Sequence, residues 1–514
     1  MDVSRLGLSA ATLASSVPAK RVPVDSIGLL TACRVSWEHG GRLVAMWGSD
    51  DRDRDRGYML NVVLEDSDGL LLLEHTLPTA ESTYPDLAVI FPAANRMQRS
   101  VFDLVGIASE ADDQRPWSWQ ASWPIDRYPL RRDFEASPKW EPGQEEYAFV
   151  RVEGDGVHEI PVGPVHAGII EPGHFRFQVV GEKVLRLEER LGFVHKGIEK
   201  RFETMDAANG YRLAGRVSGD STVAYAYAYA QALEALLAVQ PAPRALSLRA
   251  LALERERIAN HLGDLGYLGN DGGFAFGLAQ FSRLKEQLLR TNLAAFGHRL
   301  IMDYVVPGGV ARDLAPEAAV AIIDECAMLE GEIRTLRDIY DEHDGLQDRF
   351  RTCGTVEPQL ALKLGLMGLA GRASGRARDL RCDFPTAPYD TLAVRKIVHQ
   401  GGDVAARVAV RFDEIFESLR LVRALVGALP SGDLTVALGE PPTFRKSLGY
   451  VEGWRGPVLI GLEFGAGGAI RRCHPHDPSW TNWPVLEHAV IGNIVPDFPL
   501  INKSFNLSYS GHDL

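Results

Sequence analysis

Four stretches of helix length, residues 251–268, 281–296, 316–339 and 404–429, repeat apolar side chains three and four positions apart. That period puts an apolar stripe along each helix, and long stripes are buried most readily against one another. The second half of the chain is therefore expected to form a bundle of long helices. Residues 222–239 open with alternating Ala and Tyr, a period that alone would also suit a strand. Ala is the best helix former and the following residues keep a helical pattern, so a helix is expected, with Tyr225 and Tyr229 on one face and Tyr227 on the other.

Upstream the pattern shortens. Residues 28–35, 42–47 and 58–64 are apolar or alternating runs between polar turns and read as strands. In residues 84–107 helical spacing would bury Met97, Val101 and Leu104 on one face. A stretch rich in Pro and charge at 136–146 reads as a linker, and residues 160–182 read as a small antiparallel sheet. The expected fold class is α+β. A small mixed α/β N-terminal domain (1–140) precedes a large, mainly α-helical domain (150–514) with a small antiparallel sheet at its start.

Charge and cysteine usage narrow the chemistry. The net charge is -13 and no basic run dominates any segment, which argues against nucleic-acid binding by phosphate neutralisation. The five cysteines (Cys33, Cys326, Cys353, Cys382, Cys473) include no Cys-x-x-Cys pair, so neither disulfides nor a zinc or iron-sulfur site is signalled. No secretory signal is legible, and the most apolar stretch, 222–239, contains Gln231 and Glu234. A cytoplasmic, reducing setting and no transmembrane helix of its own are expected.

Ordered motifs run along nearly the whole chain. Pro92-Ala-Ala94, Asp103, Gly106-Ile107 and Pro129-Leu-Arg-Arg-Asp-Phe134 resemble the 30 kDa subunit of respiratory complex I. Gly163-Pro-Val-His166, Glu171-Pro-Gly-His174, Gly192-Phe-Val-His-Lys-Gly-Ile-Glu199, Glu254 to His261, Pro307 to Val310, Val451-Glu-Gly-Trp-Arg-Gly456 and Arg472 to Trp483 follow the pattern shared by complex I 49 kDa subunits and large subunits of membrane-bound nickel-iron hydrogenases. The fusion of both parts resembles formate hydrogenlyase-type large subunits.

That resemblance implies four thiolates holding nickel and iron, because such metals take soft, deprotonated sulfur ligands. Here the first pair reads Ser218 and Ser221, and the second reads Ser508 and Gly511. Serine hydroxyls are hard and weakly acidic, and glycine has no donor. Unless the fold brings in Cys353 or Cys473, the chain is expected to bind no cofactor of its own and to carry no hydrogen chemistry at nickel.

By resemblance, Glu171 matches the carboxylate that passes protons beside the hydrogenase metal, and Arg455 the arginine that overhangs it. A partly buried glutamate with its pKa raised towards neutrality could relay protons. Asp220 is a further candidate for this relay, and His512 could add a polar group. For a quinone, the resemblance implies His166, with His174 as an alternative, and places Arg216 where complex I has a tyrosine. Ser218, Ser221 and Ser508 would line the cavity. Blander readings stand beside these: Asp220 and Ser221 as a helix N-cap, Glu171 as a turn residue, His261 as a packed histidine, and Cys473-His-Pro-His476 as a docking loop.

The resemblance further implies a peripheral subunit on the cytoplasmic side of a membrane, in a complex that couples electron transfer to proton or ion translocation. Its partners would be an iron-sulfur small subunit that holds a four-iron four-sulfur cluster, antiporter-like membrane subunits and a ferredoxin-like electron-transfer subunit. Two alternatives remain at this point, a structural coupling subunit with a relic cavity and a quinone-reducing subunit.

Overall fold

The computed structural model describes residues 7–119, 121–124, 126–135, 141, 143, 147–167 and 170–514. Short strands β1 (Ala11–Thr12) and β2 (Ala14–Ser15) lead into β3 (Ala19–Val24), α1 (Ser26–Glu38), β4 (Arg42–Asp50), β5 (Tyr58–Asp66) and β6 (Gly69–Leu77). They form a sheet in the order β1-β3-β6-β5-β4, in which β3 runs parallel to β6. After β7 (Thr83–Tyr84), helix α2 (Ala94–Val105) buries Met97, Val101 and Leu104 as its spacing requires, and β8 (Ala108–Ser109) follows.

Residues 28–35 are not a strand but part of α1. Asp25 caps this helix by accepting the Gly28 N–H at 2.7 Å, and Leu29, Ala32, Cys33 and Ser36 form its buried face. The cap decides between two readings that a short apolar run leaves equal. Most of the expected linker at 136–146 lies outside the described residues.

The second part opens with an antiparallel sheet of β9 (Val157–Val162), β10 (His174–Val180) and β11 (Lys183–Arg190), as expected. Residues 191–200 also repeat apolar positions three and four apart, which suits a helix, but only their end enters the short helix α3 (Ile198–Phe202), and α4 (Gly210–Ala214) follows. Gly192 and Gly197 adopt left-handed backbone and break the run. The long helices are α5 (Thr222–Leu237), α6 (Pro243–Asp271), α7 (Ala275–Phe296), α8 (Pro316–Glu342) and α13 (Val404–Gly427). Between α7 and α8 lies the two-residue ladder of β12 (Val305–Val306) and β13 (Gly309–Val310); between α8 and α13 lie α9 (Asp344–Phe350), α10 (Pro358–Lys363), α11 (Gly368–Ala373) and α12 (Leu380–Asp383). The chain closes with β14 (Lys446–Glu452), β15 (Pro457–Phe464), β16 (Ile470–His476), α14 (Ser479–Ala489), α15 (Phe498–Phe505) and α16 (Tyr509–Asp513).

The two parts are knitted together. Strand β2, from the N-terminal segment, pairs parallel to β14 and completes the sheet β16-β15-β14-β2. Arg42 pairs with Glu65 at 2.8 Å while Tyr450 donates to the same carboxylate at 2.7 Å, and Lys446 reaches Glu74 at 2.8 Å. The Trp47 ring lies so close to Gly461 that a Cβ there would stand 2.9 Å from it. Residues 473–476, read as a docking loop, are instead buried strand β16, because pairing with β15 and cover by the N-terminal sheet remove them from solvent. Among the described residues no helix is long and apolar enough to cross a membrane.

Candidate functional site

The four positions that the hydrogenase resemblance marks for thiolates converge where the loop before α5 meets the C-terminal tail. Ser218 and Ser508, 290 residues apart, lie 2.9 Å apart oxygen to oxygen. The Ser218 hydroxyl donates to Asp220 Oδ1 at 2.6 Å, so the proton between the serines is that of Ser508, and the Ser508 oxygen in turn accepts the Gly511 N–H at 2.8 Å. The result is a directed chain from Gly511 N–H through Ser508 and Ser218 to the Asp220 carboxylate.

Arg455 closes the other end. Its guanidinium grips both oxygens of Asp220, at 2.9 Å for Nη1–Oδ1, and also donates to Ser221 Oγ at 3.3 Å and to the Asn506 carbonyl. Asn506, the left-handed cap of α15, aims that carbonyl inward while its amide donates to Asp264 at 2.7 Å. Burial alone would push the Asp220 carboxyl up, but the charge and hydrogen bonds of Arg455 and the Ser218 hydroxyl outweigh it and hold the group at about 2. Asp220 is therefore ionised at neutral pH, one edge facing an open cleft.

That cleft has a volume of about 290 Å³, and its wall includes Glu171, Ser218, Asp220, Asp264, Lys285, Arg455, Lys503 and Ser508. Glu171 is exposed rather than partly buried and accepts from the Ser510 N–H at 3.0 Å and from its hydroxyl. Of the residues singled out in the sequence, the cleft thus unites Glu171, Ser218, Asp220, Arg455 and Ser508, with Ser221 bonded to Arg455.

Others lie elsewhere. Arg216 pairs with Asp303, and His174, at the start of β10, packs at a tilt against Phe149 with its Nε2 accepting from Arg176 at 3.4 Å. His166 lies near the tail at the Tyr509 ring, 6.4 Å between centroids. The tyrosine-histidine pair that a quinone headgroup would bridge is not assembled by these side chains. His512 stacks on Trp480 at 4.1 Å, away from the cleft, and His261 is a packed histidine bonded to Glu414 at 2.8 Å. Tyr225 and Tyr227 do face opposite ways: Tyr225 donates to Asp477 at 2.7 Å, and Tyr227 packs under Arg249.

The residues present do not fit a nickel-iron centre. A Cβ at Gly511 would lie 2.5 Å from Asp477 Oδ2, so an aspartate occupies the space of the fourth thiolate. Both facing serine protons are committed within the chain to Asp220, and Ser221 is covered by Arg455. Cys353 and Cys473 are buried and absent from the cleft wall, and burial raises both thiols.

One residue behind the site lies within the Glu254 to His261 motif without a role that the sequence reveals. The first free N–H groups of α5 are capped by neither Asp220 nor Ser221 but by Glu256 of α6, which accepts from Val223 at 2.7 Å and from Ala224 at 3.2 Å. Spacing on α6 marks Glu256 only as an interruption of an apolar stripe. Burial, against the pull of the two backbone donors, pushes its carboxyl up to about 8. A folded-state pKa above the unfolded value gives stability that is complete below about pH 4.5 and is lost as pH rises through about 8. Glu256→Gln keeps an acceptor without the charge. Urea midpoints at pH 5 and 8.5 should therefore fall with pH in the wild type more steeply than in the variant; equal slopes would count against the titration.

Two family models match. Residues 22–139 match the respiratory-chain NADH dehydrogenase 30 Kd subunit, and residues 271–447 the 49 Kd subunit. The chain is 31% identical to formate hydrogenlyase subunit 5 of Escherichia coli, over 93% of this chain and 85% of that one. It is 27% identical to the C/D subunit of NADH-quinone oxidoreductase from Phocaeicola vulgatus, over 87% of this chain and 89% of that one. Among solved structures, the membrane-bound sulfane sulfur reductase, an archaeal respiratory membrane complex, contains a chain that shares the fold with a TM-score of 0.66, at 24% identity, over 70% of this chain and 99% of that one. With the 30 Kd and 49 Kd parts in one polypeptide and the thiolate positions filled by Ser218, Ser221, Ser508 and Gly511, the chain belongs to the family of large subunits shared by membrane-bound hydrogenases and complex I.

Proposed function

We propose that this chain is the large subunit of a membrane-bound, complex I-like oxidoreductase complex, coupling electron transfer to proton or ion movement without a nickel-iron centre of its own. It would sit on the cytoplasmic side, beside an iron-sulfur small subunit and antiporter-like membrane subunits. The observation that carries the reading is the hydrogen-bonded chain Gly511–Ser508–Ser218–Asp220, locked by Arg455, in the place where the family carries thiolates. A run of hydroxyls ending on a fixed carboxylate can shift protons along itself, and the cleft opens its Asp220 end to a reacting molecule. Glu171 with Ser510 offers a second acceptor in the wall of the same cleft. The wall is rich in charge and hydroxyls, which suits a small polar acceptor better than the tail of a quinone.

Glu171→Gln and Asp220→Asn, each in the assembled complex, should lower turnover at least about tenfold, equivalent to ~1.4 kcal/mol of barrier, with the make-up of the complex unchanged. Full turnover in both variants would leave the chain a structural coupling subunit with a relic cavity. Metal analysis of the purified complex is expected to give no stoichiometric nickel, and one nickel per chain would overturn the reading of the serines.

A further inference from the structure

We propose that the cleft binds a small monoanion, and that Lys285 is the residue that holds it. The inference deepens the reading of this cleft as the working site by naming the charge class of what enters it. Lys285 rises from α7 and crosses α6 at Gly263, where a Cβ would lie 2.7 Å from its Nζ and 3.4 Å from its Cδ. Glycine is disfavoured in a helix interior relative to alanine. At Gly263 the missing side chain is the seat across which the lysine reaches the cleft wall.

The charges around the cleft leave that lysine over. Arg455 is bound by Asp220, Asp264 is bound by Arg411 at 2.9 Å, and Glu171 is bound by Ser510. Lys503 lies 3.6 Å from Asp264 and 3.3 Å from the Asn506 side-chain oxygen. The wall itself carries three cationic side chains and three carboxylates, and Arg411, buried behind Asp264, adds a fourth cation, which leaves one positive charge in the cluster. Lys285 is the cation without a carboxylate within 4.0 Å among the described residues. Burial lowers its pKa, as expected of an ammonium held away from both water and a counter-charge. A monoanion beside Nζ would restore neutrality and find further donors on the Lys503 ammonium. At about 30 Å³ per water-sized group, the cleft takes a polyatomic anion but not a long apolar chain.

The test is protection of Lys285 from reductive methylation in the purified complex, read by peptide mass spectrometry, with thiocyanate as the probe and ionic strength held by a bulky buffer anion. Labelling of Lys285 should slow about tenfold once thiocyanate exceeds its dissociation constant tenfold, by mass action, while labelling of exposed Lys363 stays unchanged. In Gly263→Ala the added methyl displaces the ammonium, and protection should disappear. Labelling of the wild type that ignores thiocyanate, or protection that survives in Gly263→Ala, would overturn the proposal. Protection in a complex whose turnover ignores Glu171→Gln and Asp220→Asn would leave the anion site standing and remove the redox reading. Lost turnover in those variants without protection would do the reverse.

Discussion

Arg372→Met is expected to cost the folded chain about 3–5 kcal/mol, the range for removing one partner from a buried ion pair. Arg372 is fully buried where α11, α13 and β14 meet. It donates to Glu414 from Nε at 2.8 Å and to Glu452 from Nη1 at 2.8 Å, and both carboxylates are buried. Among the described residues, removal leaves the Glu452 carboxylate hydrogen-bonded to the Leu380 N–H at 3.2 Å, and Glu414 with His261 and a more distant Arg257 at 3.6 Å. An apolar residue in place of both charges avoids the uncompensated carboxylate, so Arg372→Met with Glu452→Leu should recover much of the loss. Urea unfolding of the two variants checks this. A single variant within about 1 kcal/mol of wild type, the worth of an exposed pair, would show that the network is not stabilised as its geometry implies.

Gly449→Ala should be nearly as damaging, about 3 kcal/mol, because it overpacks a contact that cannot yield. Helix α5 lies directly on β14, and a Cβ at Gly449 would stand 1.8 Å from the Ala228 carbonyl oxygen and 2.9 Å from the Ala232 nitrogen. To relieve that clash α5 must lift, and its N-terminus carries the Ser218–Ser221 loop while Tyr225 holds Asp477. The variant should therefore lower the melting temperature and also disturb cleft chemistry. Ala228→Gly, which removes a side chain without moving the backbone oxygen, should not rescue it. A Gly449→Ala chain of wild-type stability would mean that α5 sits further from the sheet.

These two sites explain a pattern that the sequence displayed without a reason. The alanines at 224, 226, 228, 230 and 232 are all buried, and of the tyrosines between them Tyr225 reaches Asp477, Tyr229 the Ala207 carbonyl and Tyr227 the Arg249 guanidinium. The alternation marks a helix enclosed on every side by close neighbours, not a strand. Period alone could not say so, because a helix buried all round has no polar face to set its phase.

The helix bundle, the buried face of α2, the opening antiparallel sheet and the exchange of thiolates for serines were all legible in order and spacing, since they depend on neighbours along the chain. Helix α1 was misread because its apolar run is short and the deciding feature was one capping hydrogen bond. The pairing of β2 with β14 was invisible because two residues carry no period, and their partner lies more than 400 residues away.

The amino-acid sequence by itself determined which atoms are present at the site: hydroxyls and a bare glycine where the family has sulfur, and the charged groups of Glu171, Asp220 and Arg455. Only the tertiary structure decided what those atoms do. It set Ser508 against Ser218, turned both towards an aspartate locked by Arg455, moved Asp477 into the space left at Gly511, capped α5 with Glu256, and carried Lys285 across Gly263. Each of these joins groups far apart in sequence. A hydrogen bond or ion pair depends on distances of about 3 Å that a linear pattern does not contain.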